Sequence, residues 1–297
     1  MAGSIAGVAP EVMLGHLAAE TDTIRLGSGA VLLNHYSPFK VAEQFGVLDA
    51  LAPGRIDAGL GRANGSPAAD RALGTDRHVQ NPDEDHAEKI EAVVNHLYED
   101  YPDDHPYSDL QIPRSGGDTP DPWVLGSSPS SASIAAELGL PYCFAAFIRP
   151  QLATQSFETY REQFQSSALA TSGAEPQGMI AVNAVCAETD EEAARRRAVA
   201  EASYKRMQRG VVGTRPSIEE AIDELGAVPE PTSETLEIAE LPRAISGSPE
   251  TLSTILDRIT DSVGVNEVMI QHIHATHDHA LRSHELLADG VGLTQQF

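Results

Sequence analysis

Three short stretches of this chain carry residues that together could grip an anion. In GSGAVLLNHYSP (residues 27–38), glycines stand at the end of an apolar run, where the missing Cβ lets backbone approach a ligand closely. In GLGRANG (59–65), Arg62 directly follows an apolar run, and its planar fork of donors suits a phosphate. In GSSPSSASIAAELGLP (126–141), a run of hydroxyls opens a helical pattern. Free N–H groups at a helix start, with serine hydroxyls beside them, make an anion site. Each stretch also has a plainer reading: a helix packed over small residues, an ion pair with a helix acid, and ordinary serine capping. An arginine and a serine-rich helix start on different strands of one face fit a single phosphate better than two coincidences.

A second concentration of chemistry lies near the end of the chain, where His272, His274, His277, His279 and His284 fall within thirteen residues. In extended backbone His272 and His274 share a face. Two or three imidazoles could bind zinc or copper, but no cysteine is near and the spacing matches no metal motif. The expectation is a polar lining near a ligand, with no metal. His35 and His274 are candidates for a catalytic role by position alone. GSSPS is not the GxSxG elbow, and no ordered acid–histidine pair accompanies it, which sets Ser127 and Ser128 aside as nucleophiles.

The elements that must position these residues alternate. Helical spacing over 10–19, an apolar run over 23–33, a helix over 38–51 and a short strand over 55–61 follow one another with tight connections. The pattern continues with a helix at 85–98, a strand at 123–126, a helix at 130–138, a strand at 142–147, a helix at 151–168, a strand at 179–187 and a helix at 190–209. A helix at 249–262, a strand at 267–273 and a helix at 279–289 close it. Two insertions interrupt: a Pro/Asp/Gly-rich loop at 100–121, and an excursion at 210–241 with one short helix, expected over the strand ends. Such alternation argues for parallel strands with crossover helices in one domain, 1–297. The count is six strands, whereas a closed (β/α)8 TIM-type barrel has eight. Either two strands are missing or the sheet is open and doubly wound. No clear GxGxxG follows the first strand, which weakens the dinucleotide-binding reading.

Composition excludes several classes. Acidic residues outnumber basic ones 44 to 20, for a net charge of −24. That field repels polyanions, so no nucleic acid is expected. The acids are spread along the chain and only three of the bases are lysines, the pattern of a halophilic surface adapted to high salt. No apolar run is long enough for a membrane span. The first residues carry no basic region ahead of an apolar one, so no secretory signal is expected and the expected location is cytoplasmic. Cys143 and Cys186 lie in apolar runs and read as buried free thiols.

Taken together, VAEQFGVLDALAPGRIDAGLGRANG (41–65), DPWVLGSSPSSASIAAELGLPYCFA (121–145) and ISGSPETL (245–252) resemble the luciferase-like monooxygenase family, in its group of small single-chain flavin oxidoreductases. The resemblance runs over nearly the whole chain. It implies a (β/α)8 barrel, commonly a homodimer, acting on a small organic substrate with O2 and reduced FMN supplied by a flavin reductase. It implies that Arg62, Ser127, Ser128 and Ser131 hold the flavin phosphate. Some relatives have a carboxylate where Ser127 stands. It also implies a non-prolyl cis peptide at Gly29–Ala30 below the flavin ring, with Gly61 close to the ring. Relatives begin with two further strands and an acidic-His-His motif. The resemblance therefore implies that strands one and two are absent, either through a misplaced start or in a true fragment. A deazaflavin coenzyme with hydride transfer is the alternative within the family, and a non-catalytic flavin-binding remnant is another.

Overall fold

The computed structural model describes residues 8–62, 72–73, 85–112, 119–167, 175–211 and 213–293. Residues 63–65 of the GLGRANG stretch and 113–118 of the first insertion lie outside them. In chain order the elements are α1 (Pro10–Glu20), β1 (Leu26–Gly27), β2 (Val31–Leu32), α2 (Pro38–Leu51), β3 (Ile56–Gly61), α3 (His86–Tyr98), β4 (Asp121–Gly126) and α4 (Pro129–Glu137). Then come β5 (Tyr142–Ala145), α5 (Ala153–Gln163), β6 (Gly178–Cys186), α6 (Asp190–Gln208), α7 (Ile218–Leu225), β7 (Ile245–Gly247), α8 (Pro249–Val263), β8 (Glu267–Gln271) and α9 (His277–Gly290).

Every strand pairing is parallel, as crossover helices require. β1 and β2 both pair with β3, followed by β4, β5 and β6, with β7 and β8 both on β6. This is the α/β barrel type, and among the described residues no pairing joins β8 back to β1. One strand face packs on the helices: Ile56, Ala58, Leu60, Val124, Tyr142, Phe144, Ile180 and Val182 share a core with Val41, Phe45, Ile90, Val93 and Phe157. The other face is concave. A Cβ built on Gly29 would lie 3.8 Å from Leu125 of β4 and 3.9 Å from the Met269 sulfur of β8. The connection between β1 and β2 thus meets β4 and β8 there.

The run over 23–33, expected as one strand, is two two-residue pieces. Ser28 turns its hydroxyl onto the Gly59 carbonyl (2.8 Å) and the Gly29–Ala30 peptide is cis, so the ladder breaks between the pieces. Only glycine fits at 59, because a Cβ there would overlap the Ser28 carbonyl. β7 had no counterpart in the sequence reading, since three residues carry no readable period. In the 210–241 excursion, α7 lays Ala221, Ile218 and Ile222 on Ala198, Val199 and Ala202 of α6. Arg197 ties the following segment down by donating to Thr232 Oγ1 and the Glu230 carbonyl, each at 2.7 Å. Cys143 and Cys186 are free and buried.

Candidate active site at the strand ends

β3 and β4 run side by side with Leu60 opposite Val124. Continued along two parallel chains ~4.8 Å apart, that register sets Gly61 and Arg62 beside Leu125, Gly126 and Ser127. Arg62 is exposed and Ser127 half-buried, and each directly follows the end of its strand. Asn34, in the turn after β2, donates to the Arg62 carbonyl (3.2 Å) and fixes the rim on the third side.

The turn into α4 is a reciprocal cap. Ser128 Oγ accepts from the Ser131 amide at 3.5 Å, and Ser131 Oγ accepts from the Ser128 amide at 3.4 Å. Ser131 also donates to the Ser128 carbonyl (2.7 Å), and its oxygen lies 3.1 Å from the Tyr142 hydroxyl. Gly126 makes this possible, since a Cβ there would overlap the Ser131 side chain. Burial first of all pushes the Tyr142 phenol far up, which keeps it neutral as a hydrogen-bonding post under the turn. The hydroxyls of Ser128 and Ser131 are thus engaged in holding the turn. Ser127 Oγ makes no hydrogen bond within the described residues.

Below the rim lies a wall of small residues. Gly61 faces Ala30, and a Cβ on Gly61 would stand 2.9 Å from that of Ala30 and 3.6 Å from the Leu125 carbonyl. The Gly29–Ala30 peptide, which is cis, lies close to Leu125 and Met269, and Gly61 lies close to Ala30. At the opposite end of the strands Arg25 is consumed by Asp57 and Asp121, and the Asp57 hydrogen bond first of all raises its pKa. The sequence reading missed Leu125, Met269, Tyr142 and Asn34. Both faces of a barrel strand are apolar, so alternation does not reveal which residues point inward.

His274 is 2% exposed and lies with His272 and His284 between the end of β8 and α9. His272 Nδ1 and His274 Nε2 are 3.2 Å apart, and the rings of His272 and His284 are 3.6 Å apart. Burial, then His284 and His274, bring His272 down to about 3. Burial, then His279 and His284, bring His274 down to about 4. Both imidazoles are neutral at pH 7. Among the described residues no group of three or more His, Cys, Asp or Glu could hold a metal ion. His35 is buried in the turn at Leu33–His35.

The luciferase-like monooxygenase family model matches residues 3–265, and the chain belongs to that family. An uncharacterized protein of Bacillus subtilis (strain 168), YceB, is 38% identical over 90% of this chain and 78% of its own length. The N-acetyl-S-alkylcysteine monooxygenase of the same strain is 36% identical over 97% and 84% of the two chains. A luciferase-like monooxygenase of Escherichia coli (strain K12) is 32% identical over 96% and 82%. Of solved structures, apo-MsnO8 matches with TM-score 0.83 and 38% identity over 97% and 84%. The oxygenating constituent of 3,6-diketocamphane monooxygenase from Pseudomonas putida, solved with FMN, matches with TM-score 0.64 and 20% identity over 97% and 84%. A coenzyme F420-dependent tetrahydromethanopterin reductase from Methanopyrus kandleri matches with TM-score 0.65 and 13% identity over 95% and 85%. The last two show the fold alone.

Proposed function

We propose that the chain is a flavin-dependent monooxygenase that holds reduced FMN at the C-terminal rim of its strands and uses O2 to oxidise a small organic substrate. The observation that supports this reading is the register of β3 and β4, with Leu60 opposite Val124, because Arg62 and Ser127 directly follow the ends of these adjacent parallel strands and Gly61 lies against Ala30. Arg62 and Ser127 would bind the flavin phosphate, and Ser128 and Ser131 would shape the turn that offers Ser127. Gly61, where a Cβ would crowd Ala30, and the Gly29–Ala30 peptide would lie against the ring. The reduced flavin, when bound, supplies the electrons for O2 activation, while the protein supplies binding, orientation and exclusion of water. A flavin reductase would deliver the cofactor, and two copies would form a dimer in the cytoplasm.

The same rim suits a deazaflavin coenzyme, which carries a phosphate on a comparable tail and transfers hydride without oxygen. The test is to give the whole chain each reduced cofactor and follow oxygen with an electrode. Faster O2 consumption with reduced FMN than the free cofactor shows, in the presence of a substrate pool, supports the monooxygenase. Binding of the reduced deazaflavin alone, with no change in O2 consumption under FMN, selects the dehydrogenase.

A further inference from the structure

Successive residues of β8 point to opposite faces of the sheet. Val268 and Ile270 pack against the core shared with the helices, so Met269, between them, points to the concave face. Its sulfur lies there 3.9 Å from where a Gly29 Cβ would stand, in the connection between β1 and β2. Met269 is 38% exposed, which leaves the side chain open to small molecules on this face. Of the two side chains that reach the Gly29 position among the described residues, Leu125 and Met269, only the second carries an oxidisable atom. The thiols of Cys143 and Cys186 are both buried. Burial first of all pushes Cys143 up to about 12 and Cys186 up to about 11, so neither offers a reactive thiolate at pH 7.

We infer that Met269 is a modification site, a thioether that peroxide made within the site oxidises to the sulfoxide, and that the change weakens flavin binding. The inference rests on the monooxygenase reading, which lays the flavin ring against the Gly29–Ala30 peptide. With no substrate present, reduced FMN passes two electrons and two protons to O2, giving oxidised FMN and hydrogen peroxide. The Met269 sulfur gives an electron pair to one peroxide oxygen. An S–O bond forms and the O–O bond breaks, and the second oxygen takes the proton of the first and leaves as water. Sulfur loses two electrons and the peroxide gains them. The product replaces a flexible apolar side chain by a polar one, at the peptide where the ring would find apolar contact.

Three incubations of the whole chain without substrate test this. The first uses added hydrogen peroxide alone. The second uses FMN kept reduced in air by NADH and a flavin reductase, and the third adds catalase, which destroys peroxide that reaches the bulk. Peptide mass spectrometry reads the sulfoxide at each methionine, and fluorescence quenching reads FMN affinity before and after. Met207 and Met13 serve as controls, being 60% and 42% exposed against 38% for Met269. Added peroxide should therefore oxidise Met207 ahead of Met269. Under reduced FMN with catalase the order should reverse, with the Met269-to-Met207 ratio raised roughly tenfold by proximity to the source of oxidant. FMN affinity should fall roughly threefold or more, and recover with methionine sulfoxide reductases A and B. In Met269→Leu it should stay at its own starting value. A chain that binds FMN yet oxidises its methionines in one order in all three incubations overturns the inference and leaves the flavin reading standing. Selective oxidation of Met269 with no loss of FMN affinity overturns the consequence inferred for it. Failure to quench flavin fluorescence at all overturns the flavin reading, and the inference with it.

Discussion

Hydroxyls at the α4 turn divide into two kinds. Those of Ser128 and Ser131 already bond within the cap, whereas that of Ser127 does not. Ser127→Ala should therefore weaken FMN binding by roughly 3- to 10-fold, the value of one hydrogen bond, with little change in melting temperature. Ser131→Ala should do the reverse and lower stability by about 1 kcal/mol, the value of a lost cap. Fluorescence quenching and thermal melting on the same two variants check the split. Equal effects on both readouts would count against it. The histidines make a prediction of their own. His272 and His274 are held at about 3 and about 4, below the ordinary histidine value of about 6.5. The fold favours their neutral forms. Below about pH 6.5 the unfolded chain takes up protons that the folded chain refuses, so stability drains as pH falls from there toward 4. The melting temperature should drop by several degrees between pH 7 and 5, and by less in His274→Asn. A variant that tracks the wild type would show that acid sensitivity lies elsewhere.

At the scale of elements, the β4–α4 junction depends on a single missing methyl group. Gly126→Ala would force Ser131 off the strand end and break the cap that Tyr142 braces. We expect a loss of roughly 1–3 kcal/mol, as for other overpacked sites, read as a lower melting temperature. Unchanged melting would mean that the turn re-forms without its cap. This junction was legible in the sequence because serine, proline and glycine each have a narrow local role: Gly126 ends the strand, Ser128 caps, and Pro129 opens the helix. The cis bond at Gly29–Ala30 was legible only through the family resemblance, since Gly-Ala as a dipeptide signals nothing of the kind. Leu125 and Met269 were not legible at all. Their importance comes from facing inward, and in a strand covered on both sides that direction is set by register with distant strands rather than by local pattern.

For the whole molecule, the alternation of short apolar runs with helical segments through tight connections was enough to expect parallel strands with crossover helices. The net charge of −24 acts at this scale as well. Spread acids with few lysines repel one another when screening is weak and tolerate salt when the Debye length shrinks to about 3 Å at 1 M. We expect the far-ultraviolet circular dichroism of the chain to weaken on dialysis from molar to millimolar salt. An unchanged spectrum would mean that the acidic surface is not an adaptation to salt.

In the proposed site one guanidinium and one serine turn would grip the phosphate of a mononucleotide. The direct measurement is a titration of wild type and Arg62→Ala with FMN and with riboflavin, which has the same ring and no phosphate, followed by quenching of flavin fluorescence. A charge-assisted bond to phosphate contributes about 1.5–3 kcal/mol, so wild type should prefer FMN by roughly 10- to 100-fold. Arg62→Ala should lose most of that preference while binding riboflavin as before. Equal affinity of the wild type for FMN and riboflavin, or a preference that survives in Arg62→Ala, would contradict the account.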